Sequence, residues 1–287
     1  MKIIIDELTA RKRSDVVVAD NFTQYSRAAL KKLFEMGNIL LNEELAKPGD
    51  KMKIGQVLTV DISPLEQEPD VIELPVIYED ENVIVVDKPA GIISHARGRY
   101  WQEASVASFI RDKTKDMEGE RAGIVHRLDR ATSGVMIAAK NTPTQVFLQK
   151  QFADKKVVKD YVAIVTGTPE TEEAHIIVAL ARNPKLPQQF KVTKDGKHSE
   201  TIYKIAKSQK GISKILLHPL TGRTHQLRIH MQYMGHPILG DILYGHADGE
   251  ARLYLHAHTL KITLPDGRER TFEAPIPEEF EKRFNRG

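Results

Sequence analysis

His126-Arg127-Leu128-Asp129-Arg130-Ala131-Thr132-Ser133-Gly134 runs straight into Val135-Met136-Ile137-Ala138-Ala139. The second half is a continuous apolar run of strand length, the pattern of a buried strand. The first half is polar and ends in Thr132, Ser133 and Gly134, small residues that let another backbone or a bound molecule come close. Asp129 lies between Arg127 and Arg130. A nearby cation keeps a carboxylate ionised, the state that a base or a nucleophile needs. Charged triplets are common, so local composition alone favours a structural ion pair at a strand start.

Working outward, Asn82-Val83-Ile84-Val85-Val86-Asp87 reads as another buried strand, ended by Lys88-Pro89-Ala90-Gly91 because proline cannot extend a central ladder. Ser105 to Met117 is expected to be a helix. Asn141 or Thr142 can cap the next helix, with Pro143 in its first turn and Val146, Phe147 and Phe152 buried. Val157 to Val165 and Ile212 to Leu217 read as strands. Thr224 to Met234 reads as a helix ended by Gly235, with Leu227, Met231 and Met234 inward. Several strands follow one another without helices between them, so the expected fold class is α+β with a mixed, mostly antiparallel β-sheet.

Residues 1 to 63 form a separate small α+β unit by pattern. Ser26 can cap a helix whose apolar face is Leu30, Leu33 and Phe34, with Gly37 at its end. Ile39-Leu40-Leu41 and Gln56-Val57-Leu58-Thr59-Val60 are short strands, and Lys47-Pro48-Gly49-Asp50 is a turn. Residues 64 to 74, acidic and holding Pro64 and Pro69, read as a stiffened linker that does not pack. The larger domain is expected over 75–287.

Composition narrows the chemistry. The 287 residues include no cysteine, which excludes disulfides, thiolate zinc sites and enzymes that attack with a thiolate. No apolar run approaches the ~20 residues of a membrane helix, and Met1-Lys2-Ile3-Ile4-Ile5-Asp6 is not a signal peptide. A cytoplasmic monomer with no membrane contact is the expectation. Net charge is only +3, but Arg182 to Arg228 holds eleven Lys or Arg against two acids, Asp195 and Glu200. Such clustering is the footprint of a phosphate-backbone binder, or of a solvated face. There is no G-x-G-x-x-G and no P-loop, so no nucleotide cofactor is expected.

Two further segments carry chemical side chains. In Thr221-Gly222-Arg223-Thr224-His225-Gln226-Leu227-Arg228-Ile229-His230, Arg228 falls beside the inward Leu227, and an inward guanidinium needs a carboxylate partner; Asp129 is the natural candidate. His225 and His230 are five apart, off the i, i+4 spacing of metal ligands, and His256 and His258 lack a third ligand nearby. Tyr161, mid-strand in Val158-Lys159-Asp160-Tyr161-Val162, reads as a core tyrosine or as an aromatic platform for a pyrimidine.

In order along the chain, Tyr78 to Glu81, Lys88 to Gly91, Gly123 to Gly134, Lys159 with Tyr161, Thr221 to His230, Gly240-Asp241, Tyr244-Gly245 and Leu255-His256-Ala257 resemble the RluA-type family of RNA pseudouridine synthases. His126 favours that type over its small-subunit sister family, which carries Gly there. Residues from about Arg13 to Ile62 resemble the S-four RNA-binding domain on Ser26-Arg27, Leu30, Lys31, Lys32, Gly37, Asn42 and Pro48-Gly49-Asp50, with Ser14 a departure. The resemblance implies isomerisation of uridine in RNA to its C5-glycosidic isomer. It implies Asp129 as the catalytic aspartate, Tyr161 stacked on the target base, Arg228 paired with the aspartate and Arg127 entering the RNA. Arg130, His126, Thr132, Arg223, His225, Arg27 and Lys31 are the further expected RNA contacts; no metal is expected. Asp160 departs from the Thr that the family often has. The S-four-like unit leans the substrate towards large-subunit rRNA, with transfer RNA as the alternative. The rival readings are a non-catalytic RNA-binding assembly factor and a metal-dependent phosphodiesterase using His225, His230 and His256.

Overall fold

The computed structural model describes residues 1–67, 70–96, 103–117, 119, 121, 123–246 and 249–286. The backbone divides into two compact units. One comprises Met1–Asp70 together with Ala96 and Glu103, the other Val71–His95 and the chain from Ala104.

The smaller unit runs β1 (Lys2–Ile4), α1 (Ser14–Asn21), α2 (Arg27–Glu35), β2 (Ile39–Leu41), β3 (Glu44–Leu45), β4 (Val57–Val60) and α3 (Ser63–Glu66). Its strands form an antiparallel sheet in the order β1-β4-β2-β3. Ser26 caps α2 by accepting the Ala29 N–H at 3.2 Å, and Leu30, Leu33 and Phe34 are its buried face. Helix α1 is not legible in the sequence, because Val16-Val17-Val18 is a β-branched run that disfavours helix; tertiary burial of Val17 and Val18 overrides it. Ser14 starts that helix buried, yet satisfied: its hydroxyl donates to Lys47 O at 2.6 Å and its N–H to Asp50 O at 2.8 Å. The stretch 64–74, expected not to pack, packs at both ends. Pro64 sits in the first turn of α3 and is buried with Leu65, and Leu74 joins the core of the larger unit.

The larger unit continues with β5 (Val76–Glu79), β6 (Val83–Lys88), α4 (Val106–Ile110), β7 (Ser133–Ala139), α5 (Thr142–Ala153), β8 (Val158–Thr166), β9 (Glu173–Arg182), β10 (Phe190–Val192), β11 (Lys197–Gln209), β12 (Ile212–Pro219), α6 (Gln226–Tyr233), β13 (Leu255–Thr263), β14 (Glu269–Glu273) and α7 (Glu278–Arg286). One sheet runs β10-β9-β11-β12-β8-β13-β7-β6-β5, with β14 also paired to β13. Every pairing is antiparallel except β13 with β7. The fold is therefore α+β with a mixed, mostly antiparallel sheet. The seven residues of β7 are all buried, as are Val83, Ile84, Val85 and Val86 of β6. Each such aliphatic side chain contributes about 1.5–3 kcal/mol by leaving water.

Two helices differ from expectation. The helix expected over Ser105 to Met117 ends at Ile110, followed by a single tight turn, Arg111–Lys113. The Thr114 hydroxyl takes the Arg111 carbonyl at 2.7 Å and Asp116 turns left-handed, which stops propagation. In α5, capped by Asn141 through the Thr144 N–H at 3.0 Å, the buried face is Thr144, Leu148 and Gln151. Val146 and Phe147 are 62% and 38% exposed instead. Positions 144, 148 and 151 share one helical face, and Gln151 belongs inside because its amide bonds both Thr263 O at 2.7 Å and Thr263 N–H at 3.1 Å.

Candidate active site

Three adjacent strands build the site. Gly134 on β7 pairs with Ala257 on β13, and Ala257 pairs with Tyr161 on β8. The chain entering β7 carries Asp129. Gly134 has φ +120°, and a Cβ there would lie 2.1 Å from Ala257 O, so only glycine lets the strand carrying His256 and Ala257 close against it.

The Asp129 loop is fastened by other buried groups. The Thr132 N–H donates to Asp129 O at 3.0 Å. Ser94 accepts the Leu128 N–H at 3.0 Å and donates to Leu128 O at 2.8 Å. The Lys88 ammonium, fully buried, donates to Pro89 O and Ile92 O at 2.8 Å and to Arg130 O at 3.3 Å. His126 accepts the Ile137 N–H on Nε2 at 3.1 Å and stacks on Phe152 with 4.6 Å between ring centroids. Burial, helped by the Lys159 charge, pushes its pKa down to about 3, which keeps that lone pair free to accept. His126, expected as an RNA contact, is held by the scaffold and also lines the cavity of Asp129.

Arg228 is buried on α6 and pairs with Asp129, as inferred from sequence, but Asp241 is the closer partner. Its fork closes on Asp241, Nε to Oδ2 at 2.7 Å and Nη2 to Oδ1 at 2.6 Å. Asp129 receives only Nη1, 3.8 Å from its Oδ2. Burial would discharge the guanidinium, yet Asp241 first and Asp129 second outweigh it and hold its pKa above the ordinary value. Asp129 therefore faces a fixed positive charge while its own oxygens are not consumed by a short ion pair. His225 Nε2 approaches the same Oδ2 at 3.9 Å. Helix α6 starts at Gln226, not Thr224, and His225 before it is left-handed. The buried Gln226 amide shapes this turn: it accepts from Thr221 Oγ1 at 2.6 Å and Arg223 N–H at 3.0 Å, and donates to Glu200 O at 2.8 Å.

Tyr161 stands beside Asp129 with its phenol pKa raised, by burial first and by the Asp129 charge second. It is a neutral donor and an apolar platform in the resting site. Asp160, on the other face of β8, accepts from Thr259 Oγ1 at 2.9 Å and meets His218 Nδ1 at 2.8 Å. Asp129, Tyr161 and Arg228 line one cavity of about 520 Å³, together with Arg127, Thr132, Arg223, His225 and Lys159. Arg127 and Arg223 are exposed at it, and Arg223 Nε donates to His198 O at 3.0 Å. Arg130 lines a different depression, with Lys88, Gly91 and Arg252. Arg27 and Lys31 lie exposed on α2 of the smaller unit, where Lys31 meets Glu35 at 3.5 Å.

Sequence reasoning missed the parts played by Asp241, Tyr244 and Lys159. Asp241 also accepts the N–H groups of Leu243 and Tyr244 at 3.0 Å each, and its signal was Gly240, whose φ of +73° and approach to Arg252 O demand glycine. The histidines of the metal reading point to separate partners: His230 meets Ser199 Oγ at 2.8 Å and His256 meets Ser133 Oγ at 2.9 Å. Among the described residues no group of three His, Asp or Glu could hold a metal ion.

A family model described as RNA pseudouridylate synthase matches residues 82–233. Ribosomal large subunit pseudouridine synthase D of Borreliella burgdorferi is 37% identical, over 93% of this chain and 87% of that protein. The chain belongs to the RluA-type RNA pseudouridine synthases. The protein of the same name from Vibrio cholerae is 35% identical over 94% of this chain and 89% of its own length. Human RNA pseudouridylate synthase domain containing 1 superposes with a TM-score of 0.61 at 27% identity, covering 74% of this chain and 87% of that one. The synthase is accordingly an isomerase acting on uridine in RNA, and the matched segment holds Asp129, Tyr161 and Arg228.

Proposed function

We propose that this synthase isomerises uridines of large-subunit rRNA, with Asp129 as the catalytic carboxylate, Tyr161 stacked on the target base and Arg228 paired with Asp129. The observation that carries the site reading is one carboxylate, held 3.8 Å from a guanidinium that Asp241 fixes, in a cavity also lined by the half-buried Tyr161. The rRNA substrate rests on the names of the relatives that match this chain over more than nine-tenths of its length.

In the reaction the uracil leaves C1′, rotates, and rejoins the ribose through C5. Asp129 either attacks C1′ or removes the C2′ proton, and each role needs the charged carboxylate. The target must first leave its stack, which costs a few kcal/mol. Arg127 at the cavity holds the nucleotide out, and phosphate contacts offset the cost. Lys185, Lys191, Lys194 and Lys197 supply such contacts, since none makes an ion pair among the described residues. The smaller unit, as an S-four-like domain, adds Arg27 and Lys31.

Pseudouridine mapping of total RNA, with and without the gene, tests the substrate: large-subunit rRNA positions should lose the mark. Loss confined to transfer RNA would overturn the rRNA assignment. Complementation with Asp129→Asn should leave the positions unmodified while RNA binding survives, and restored modification would remove Asp129 from the chemistry.

A further inference from the structure

The isomerisation chemistry leaves unassigned one donor that faces Asp129. His225 has φ 56° and ψ 19°, a left-handed conformation that costs a non-glycine residue on the order of 1–2 kcal/mol and persists where the surroundings need the side chain in one direction. Its ring is oriented by Tyr244. The Phe190 N–H donates to Tyr244 Oη at 2.8 Å, and Tyr244 Oη meets His225 Nδ1 at 2.8 Å. Nδ1 is the acceptor that lies within reach of the phenol's own proton, and we assign that proton to it. Nδ1 is then the accepting nitrogen, and the imidazole carries its hydrogen on Nε2. Burial keeps the ring neutral against the weaker opposing pull of Asp129.

Nε2–H thus faces Asp129 Oδ2 across 3.9 Å, while Arg228 Nη1 faces the same oxygen across 3.8 Å. Both are too long for hydrogen bonds. The gap between an N–H and a carboxylate suits a group that accepts from one and donates to the other, which is what a hydroxyl does. Whether Asp129 works on C1′ or on C2′, it brings the 2′-carbon of the target ribose beside itself, and O2′ is bonded to that carbon.

We propose that His225 reads the 2′-hydroxyl of the target ribose, with Nε2–H donating to O2′ and O2′–H donating to Asp129. The site thereby distinguishes RNA from DNA at the reacting nucleotide. This deepens the proposed function and rests on Asp129 as the residue that meets the ribose.

The test closes a cycle of four dissociation constants. The protein carries Asp129→Asn, which stops turnover and keeps an accepting oxygen, with His225 intact or as His225→Phe. The ligand is an RNA oligonucleotide that the wild-type synthase converts, carrying uridine or 2′-deoxyuridine at the target. With His225 intact, the deoxy substitution removes both hydrogen bonds of O2′; with His225→Phe it removes only the one to residue 129. The deoxy penalty should therefore be about three- to tenfold larger with His225 intact, the worth of one neutral hydrogen bond. An equal penalty in both backgrounds, or no penalty with His225 intact, overturns the proposal. If His225→Phe does not fold, Tyr244→Phe takes its place: freed of its tautomer lock, His225 should show a smaller deoxy penalty, and an unchanged one overturns the proposal. Tritium release from [5-³H]uridine RNA by the Asp129→Asn protein reports separately on Asp129, so failure of that reading is recognised on its own.

Discussion

Arg228 closes both arms of its fork on Asp241, at 2.6 and 2.7 Å, and offers Asp129 only its remaining terminal nitrogen, at 3.8 Å. The two carboxylates divide the work: one binds the cation, the other feels its charge and stays available. Removing Asp241 would strand a buried guanidinium. Asp241→Ala should therefore destabilise the larger unit by about 3–5 kcal/mol, whereas Asp241→Ala combined with Arg228→Met should recover a good part of that loss without recovering activity. Urea unfolding of the single and double variants measures the coupling, and strictly additive losses would refute it.

Gly134→Ala should be among the most damaging single-methyl changes in the chain. The added Cβ meets Ala257 O at 2.1 Å and φ is +120°, whereas a Cβ added at Gly222 meets no atom within 4 Å and the backbone there has no positive φ. The expected cost is on the order of 3 kcal/mol, strain plus a disrupted ladder, against well under 1 kcal/mol for Gly222→Ala. Comparable melting temperatures for the two variants would contradict this reading of the β7–β13 contact.

Tyr161→Phe preserves the ring and removes the proton. Burial and the Asp129 charge hold the phenol above its ordinary pKa of 10.0, so raising pH from 7 to about 9 ionises no part of it in the resting enzyme. RNA affinity should survive the substitution, while C5 proton loss slows by about 10²-fold or more, the usual worth of a placed acid or base. Single-turnover tritium release provides the measurement; an unchanged rate takes the phenol out of the mechanism.

Lys88 gives stability a pH signature. Burial, only partly countered by Asp129, lowers its pKa from 10.5 to about 7. Between those values the unfolded chain binds the proton and the folded chain sheds it, so this group's contribution rises as pH climbs from about 7 towards 10.5 and is lost as pH falls through 7. Lys88→Met should flatten that slope. Urea unfolding at several pH values in the window decides it, and parallel profiles for the two proteins would sink the idea.

Local pattern makes some of this legible and hides the rest for physical reasons. The run from Val135 to Ala139 is apolar on both faces, and the strand is buried on both faces. Tyr161 and Arg228 can be placed by their own strand and helix. Asp241 cannot be recognised as the partner of Arg228 from periodicity, because it sits in a turn whose geometry depends on Gly240 and on the distant Arg252 backbone. Strands β9 and β11 escape a reading by pattern since their alternation of buried and exposed residues is interrupted. Val146 and Phe147 mislead because their hydrophobicity outweighs their position on the helix, whereas Gln151 earns its burial through a backbone it meets 112 residues later.

The parallel pairing of β7 with β13 sets a condition on time as well as on shape. β7, which follows Asp129, and β8, which carries Tyr161, both pair with β13, and β13 is made more than ninety residues after Tyr161. A nascent chain that stops short of Leu255 has every reacting group and no common frame to hold them. Closing so long a loop is slow, so competence arrives late and all at once. The strand that joins β7 to β8 is thus the last long strand of the sheet to be made.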